Sequence, residues 1–154
     1  MLFRSLEYSR AVGLSDNKLE LFSFAAHPVL VRVGGAYYAR SIQRTNPDGS
    51  LQFFCAIDEG MVLTVARERD PIDVTSRLLK ELTEDLGEVS MFIGFECVLR
   101  RLDVEQRQLS REMSELYRRN KVIGFQTYGE QYRSMHVNQT LTGIAIGKRA
   151  VAPQ

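Results

Sequence analysis

Two histidines and two cysteines in 154 residues, with no Cys-x-x-Cys and no histidine pair at helical spacing, leave no ligand set for a metal. Cys55 and Cys97 each sit in an apolar stretch, which suits reduced, buried thiols better than a disulfide framework. Twenty Lys and Arg against nineteen Asp and Glu leave a net charge of +1, so no field of one sign steers the chain to a polyanion. Nucleic acid is therefore not an expected partner. The longest apolar runs, at 28–31 and 91–95, fall far short of the roughly 20 residues that cross a bilayer, so no membrane partner is expected either. The opening residues lack the apolar segment and cleavage site of a signal peptide, which makes the cytoplasm the expected compartment and removes glycosylation as the explanation of Asn138-Gln139-Thr140. Gly124 and Gly129 lack the spacing, following helix and Lys of a phosphate-cradling loop, and are expected at bulges or close backbone approaches.

What remains is a chain that is 44% apolar, enough for a single core and thus one domain over 1–154. Residues 1–26 read as a helical or irregular lead-in with little to bury, and 148–154 as a frayed tail. Two β-rich runs, 29–33 and 36–42, flank Gly34-Gly35, which tolerates the positive φ of a tight hairpin. Further turn signals at 46–49 and 58–60 predict strands at 51–57 and 61–67, completing a four-stranded antiparallel meander. Asp70 as cap, Pro71 at the first helical position and Leu78, Leu79, Leu82 and Leu86 along one face predict a helix ended by Gly87. Residues 89–99 are apolar at both parities, as in a central strand covered on both faces. A charged helix is predicted from Asp103 to Asn120, with Leu109, Met113, Leu116 and Tyr117 as its thin apolar stripe. Two long strands, 121–132 and 136–147, close an α+β fold: a mostly antiparallel sheet with two main helices packed on it.

The polar residues concentrate on those last strands. Strand parity places Gln126, Tyr128, Glu130 and Tyr132 opposite the apolar Ile123 and Phe125, and His136, Asn138, Thr140 and Thr142 opposite Val137, Leu141 and Ala145. If the two strands pair, one patch joins Tyr128 and Glu130 to Asn138 and Thr140. Its functional reading is recognition of a small polar molecule; its plainer reading is a solvated sheet face. Glu96, Arg100 and Arg101 at the end of the central strand either line a crevice or pair with the following helix. Nucleophilic catalysis would need Cys97 activated by His136 and oriented by Glu130, but a thiol in an apolar strand reads as core packing. No catalytic residue and no cofactor is expected.

Three segments carry a resemblance. Phe95-Glu96-Cys97-Val98-Leu99-Arg100-Arg101, the run from Gly124 to Tyr132 with its Tyr128-Gly129-Glu130, and Asn138-Gln139-Thr140-Leu141-Thr142-Gly143, in that order, resemble the FIST C domain, the C-terminal half of an intracellular sensory module. His27-Pro28, Tyr37-Tyr38-Ala39-Arg40 and the hairpin at 46–52 fit it too, so the likeness runs from about residue 28 to 147. The resemblance implies a non-catalytic signal-input domain that binds a small ligand such as an amino acid, similar to modules joined to bacterial signalling outputs or, in eukaryotes, to F-box proteins. Carried onto this sequence, it points to Cys97, Arg100, Arg101, Tyr128, Gly129, Glu130, Asn138, Gln139 and Thr140. With Gln126 from the parity reading, the expected ligand-binding set is Tyr128, Glu130, Asn138, Thr140, Gln126, Cys97, Arg100 and Arg101. Such domains follow a FIST N domain, which these residues do not contain. A FIST N domain, a signalling output domain or a second copy of the chain are therefore the expected protein partners, and a protein-interaction or self-assembly module is the alternative function.

Overall fold

The computed structural model describes residues 4–15, 19–67 and 69–148. Gly34 and Gly35, both at positive φ, join β1 (Val29–Val33) to β2 (Ala36–Arg40) in the tight antiparallel hairpin that the sequence predicts. The meander does not continue from there. β3 (Ile42–Thr45) and β4 (Leu51–Phe53) form a ribbon of their own, and β5 (Leu63–Val65) returns to the far side of β1. The resulting order, β2-β1-β5, aligns Val65 and Leu63 with the buried Val29 and Val31, so one apolar face is kept whole.

That face is closed by the segment expected to have little to bury. Within α1 (Ser5–Val12), Tyr8 is fully buried; its ring lies 5.5 Å from that of Phe24 in α2 (Leu21–Ala26), and its hydroxyl donates to the carbonyl of His27 at 2.7 Å. Val29 and Ile42 complete this first core. One aromatic ring, rather than an apolar stripe, makes the lead-in part of the domain.

The second half is built on β6 (Val89–Cys97), flanked by β10 (Leu141–Gly147) antiparallel and β7 (Val122–Thr127) parallel. Before it comes α3 (Pro71–Leu86), begun by Asp70, whose carboxylate accepts from the N–H groups of Ile72 and Asp73 at 2.8 and 3.0 Å. The predicted helix from Asp103 to Asn120 is two helices, α4 (Val98–Gln106) and α5 (Ser110–Arg119). Gln108 at φ 60 and the bond from Leu109 N–H back to the Val104 carbonyl close the first, and the bend lets Val104 and Met113 reach one core. The two long terminal strands are broken as well. β8 (Glu130–Tyr132) and β9 (Met135–Val137) pair as a short hairpin, while β7 and β10 run on opposite sides of β6 and do not pair with each other. Of the tail expected at 148–154, only Lys148 is described, its ammonium bonded to Glu88; the rest lies outside the described residues.

Phe92, Val122 and Ala145 share the face of the central sheet that packs on Leu79, Val104, Met113 and Leu116. The opposite face carries Ile93 and Phe95 on β6, Ile123 and Phe125 on β7, and Ile144 and Ile146 on β10. Ile123 and Phe125, expected to look inward, are 55% and 64% exposed. Parity correctly groups them, but the helices cover the other side, so β6 is central without being covered on both faces. No described helix is long and apolar enough to cross a membrane.

Truncating a residue on the covered face leaves a cavity, so Phe92→Ala is expected to lower stability by about 3–5 kcal/mol in urea unfolding. Ile144→Ala, on the open face, is expected to change it by less than about 1 kcal/mol.

Candidate functional site

Period two along β6 places Phe92, Gly94 and Glu96 on the helix-facing side in succession. Phe92 belongs to the core; Gly94 lies between Gly143 of β10 and Gly124 of β7, so this row across the sheet carries no side chains. The backbones there approach too closely for anything larger: a Cβ on Gly124 would stand 1.8 Å from the Gly94 carbonyl oxygen. The close backbone approach expected at Gly124 is thus present; at Gly129 the near neighbours are side chains instead, and a Cβ there would stand 2.4 Å from His136 Nε2. A cavity of about 450 Å³ opens beside the row, lined by Gly94, Gly124, Glu96, Tyr117, Gln126 and apolar neighbours.

Its polar groups belong to one network. Glu96 Oε1 accepts from the Tyr117 hydroxyl at 2.8 Å and from Arg100 Nε at 3.1 Å, and the Glu96 and Arg100 side chains are each 13% exposed. Oε2 has no donor among the described residues. Arg100 reaches on to the carbonyl of Pro71 and the hydroxyl of Thr75, anchoring the start of α4 to the first turn of α3. Burial, and next the Glu96 carboxylate, push the Tyr117 phenol above its ordinary range, so it stays a donor at neutral pH. Arg101 Nη1 donates to Gln126 Oε1 at 2.9 Å, and its Nε to Glu105 at 2.5 Å. One fixed carboxylate and an amide therefore line a cavity of small-molecule size, and a second guanidinium is bonded to that amide.

Glu130, Asn138 and Thr140 meet elsewhere. The Glu130 carboxylate, almost wholly buried, accepts the Thr127 hydroxyl on one oxygen and the Thr140 hydroxyl on the other, fastening the end of β7 to the start of β10. Asn138 is fully buried; its Nδ2 donates to the Tyr128 carbonyl at 3.4 Å and its Oδ1 has no partner among the described residues. Tyr128 shares only backbone with this cluster, since its side chain is 88% exposed. The shared-face register expected for Tyr128, Glu130, Asn138 and Thr140 thus does not occur, because the chain bends at Tyr128-Gly129 and again over 138–140 and the strands carrying them pair only across the short β8–β9 hairpin.

Cys97 lies on the Glu130 side of β6 and is fully buried. Burial chiefly, with a contribution from the Glu130 charge, raises its thiol above the ordinary value, which opposes a thiolate. Among the expected residues, Gln126 lines the cavity, Arg100 and Arg101 are joined to it only through their bonds to Glu96 and Gln126, and Glu130, Thr140, Asn138 and Cys97 form a separate buried cluster. The helical spacing of Tyr117 places it on an apolar stripe and carries no sign that its hydroxyl ends on Glu96. No group of three or more His, Cys, Asp or Glu that could hold a metal is present among the described residues.

The family model of the FIST C domain matches residues 6–133, from α1 to the end of the β8 strand and its turn. With most of the chain so matched, it belongs to the FIST C domain family, a signalling and sensory type of domain. The match includes Glu96, Arg100, Arg101, Tyr117 and Gln126 and ends before Asn138-Gln139-Thr140. No curated protein and no solved structure matches the chain.

Cys97 and the half-buried Cys55 are raised from 9.0, and Tyr8 and Tyr117 from 10.0, each mainly by burial. The folded state holds these protons more tightly than the unfolded chain, so their contribution is intact below those values and is lost as pH rises past them. Melting temperature is expected to decline above the thiol value of 9.0 and more steeply above the tyrosine value of 10.0, with Cys97→Ser flattening the first part of the decline.

Proposed function

We propose that the chain is an intracellular signal-input domain that binds a small zwitterionic, amino-acid-like ligand and carries out no reaction on it. The observation that supports this reading is a carboxylate and an amide lining one small cavity: Glu96 Oε2 suits an ammonium, while the Gln126 amide, with Arg101 bonded to it from outside the lining, suits a carboxylate. Arg100 and Tyr117 act as positioning residues that hold Glu96. Glu130, Thr140, Asn138 and Cys97 support the site from the other side of β6 by fixing where β7 ends and β10 begins, and Tyr128 offers an exposed ring at that bend.

A thermal-shift screen of the common amino acids checks this. A ligand at a hundred times its Kd adds about 2.7 kcal/mol, roughly 5–10 °C for a domain of this size. Glu96→Gln is expected to weaken a hit by roughly tenfold or more, while Ile146→Ser, exposed on the open face and outside the cavity lining, leaves it unchanged. A hit equally strong in Glu96→Gln removes this cavity from the reading.

The open face of the central sheet supports a second reading, self-assembly. Ile123, Phe125, Ile144 and Ile146 are exposed and contiguous with Ile93 and Phe95, an arrangement typical of surfaces that bury themselves on a partner. Sedimentation of the purified chain is then expected to show a dimer that Phe125→Asp dissociates; a monomer at all concentrations would exclude it.

A further inference from the structure

A larger cavity, about 620 Å³, lies between the two halves of the domain, and its walls differ in kind from those of the polar cavity. Four successive residues of β2, Ala36 to Ala39, and five of β10, Leu141 to Ala145, line it. Residues of both parities can border one space only if each strand presents its edge to it rather than a face. Both are edge strands: among the described residues β2 pairs only with β1, and β10 only with β6.

The ladders show which backbone groups are free. The two-residue turn makes Val33 and Ala36 a hydrogen-bonded pair, so by antiparallel alternation Tyr37 and Ala39 turn their N–H and C=O away from β1. The Ala39 carbonyl accepts a long contact from Arg40 Nη1, at 3.4 Å; the others have no partner among the described residues. On β10, Cys97 N–H donates to the Thr140 carbonyl at 3.0 Å, which by the same alternation turns Leu141, Gly143 and Ala145 away from β6. Two rows of unpaired backbone groups thus border one cavity.

We infer that this cavity is a docking cleft for an extended polypeptide segment, which enters as a strand between β2 and β10 and joins the two three-stranded sheets through main-chain hydrogen bonds. Size supports it. A residue in a sheet takes up roughly 4.8 Å by 10 Å by 3.3 Å, about 160 Å³, so the cavity holds about four residues, the length of edge that β2 offers. The side-chain environment then specifies the occupant. One side of the cleft is walled by Leu78, Leu79 and Leu82 of α3, and alternate residues of the incoming strand must be apolar there. Tyr132, Thr140 and Arg133 also line the cleft, and Arg133 is the one charged residue among those lining it, so positions that do not meet the leucines take polar residues with an acidic one for Arg133. An unpaired edge is ordinarily a liability, and filling it from a partner is a recurrent mode of peptide recognition.

The test uses the whole chain and a fluorescent, end-blocked hexapeptide alternating valine with threonine and one glutamate, followed by anisotropy. Saturable binding is expected. N-methylation of the peptide's three amides on one edge, which deletes donors without changing side chains, is expected to weaken it by roughly tenfold or more. Arg133 is exposed and remote from either core, so Arg133→Glu is expected to leave folding intact and to reverse the preference from the glutamate peptide to its lysine counterpart. Amide exchange is expected to slow at Tyr37, Gly143 and Ala145 on binding. Absence of binding, binding indifferent to N-methylation, or protection confined to Ile123 and Phe125 on the open sheet face would each overturn the inference. The two cavities share Gly94, Val122 and Leu141, but Arg133 lines only the cleft and Glu96 only the amino-acid cavity, so loss of peptide selectivity in Arg133→Glu and loss of amino-acid binding in Glu96→Gln report on the two readings separately.

Discussion

The alternation of side chains along β6 is the constraint on which the rest of the second half depends. Two-residue periodicity makes Phe92, Gly94 and Glu96 neighbours on one face, and each has a different task. Phe92 fastens the helices, Gly94 withholds a side chain, and Glu96 presents charge where the covered face runs out. A shift of register by one residue would send Phe92 to the open side and bury Ile93 against α3 and α5, while carrying Glu96 away from Tyr117 and Arg100. Core and polar cavity are therefore one decision of strand register. Burying Glu96 is tolerable because two donors meet it at once; its partners keep the cost of desolvating a carboxylate from falling on an unpaired group.

The asymmetry of the central sheet follows from its connections. The link from β6 to β7 passes through α4 and α5, which makes the pair parallel and lays helices on one side, with α3 beside them. Nothing in the described chain returns over Ile123, Phe125 and Ile144. The edges are as unevenly treated as the faces: β1 and β6 are paired on both sides, whereas β2 and β10 each keep one row of amides and carbonyls to spare.

Much of this was legible in the residues. The Gly34-Gly35 hairpin, the Asp70 cap, the Pro71 start and the central position of β6 follow from local chemistry and appear as expected. The α+β class does too. What local chemistry could not supply was partner choice. β5 looks like the next strand of a meander until Val29 and Val31 compete for it, and residues 121–132 look like one strand until Glu130 is drawn inward by two threonines. The polar cavity is half legible: the charges ending β6 and Gln126 stand out in the sequence, but Tyr117 sits on a helix stripe that periodicity assigns to packing. Only the tertiary fold turns its hydroxyl to Glu96.

The seam between the halves is made by residues far apart in the chain. Arg40 Nη1 donates to the His136 carbonyl at 2.6 Å, the Ser41 hydroxyl to Gln139 Oε1 at 3.1 Å, and Gln139 Nε2 to the Ala25 carbonyl at 2.6 Å. During synthesis the guanidinium of Arg40 leaves the ribosome almost a hundred residues ahead of the carbonyl that receives it. At about 5–20 residues per second that is a wait of some seconds, during which a nascent chain can complete its first core but must keep this cation in water. These three bonds thus wait for residues 136–139, well after α2 and α4 are both out and free to meet.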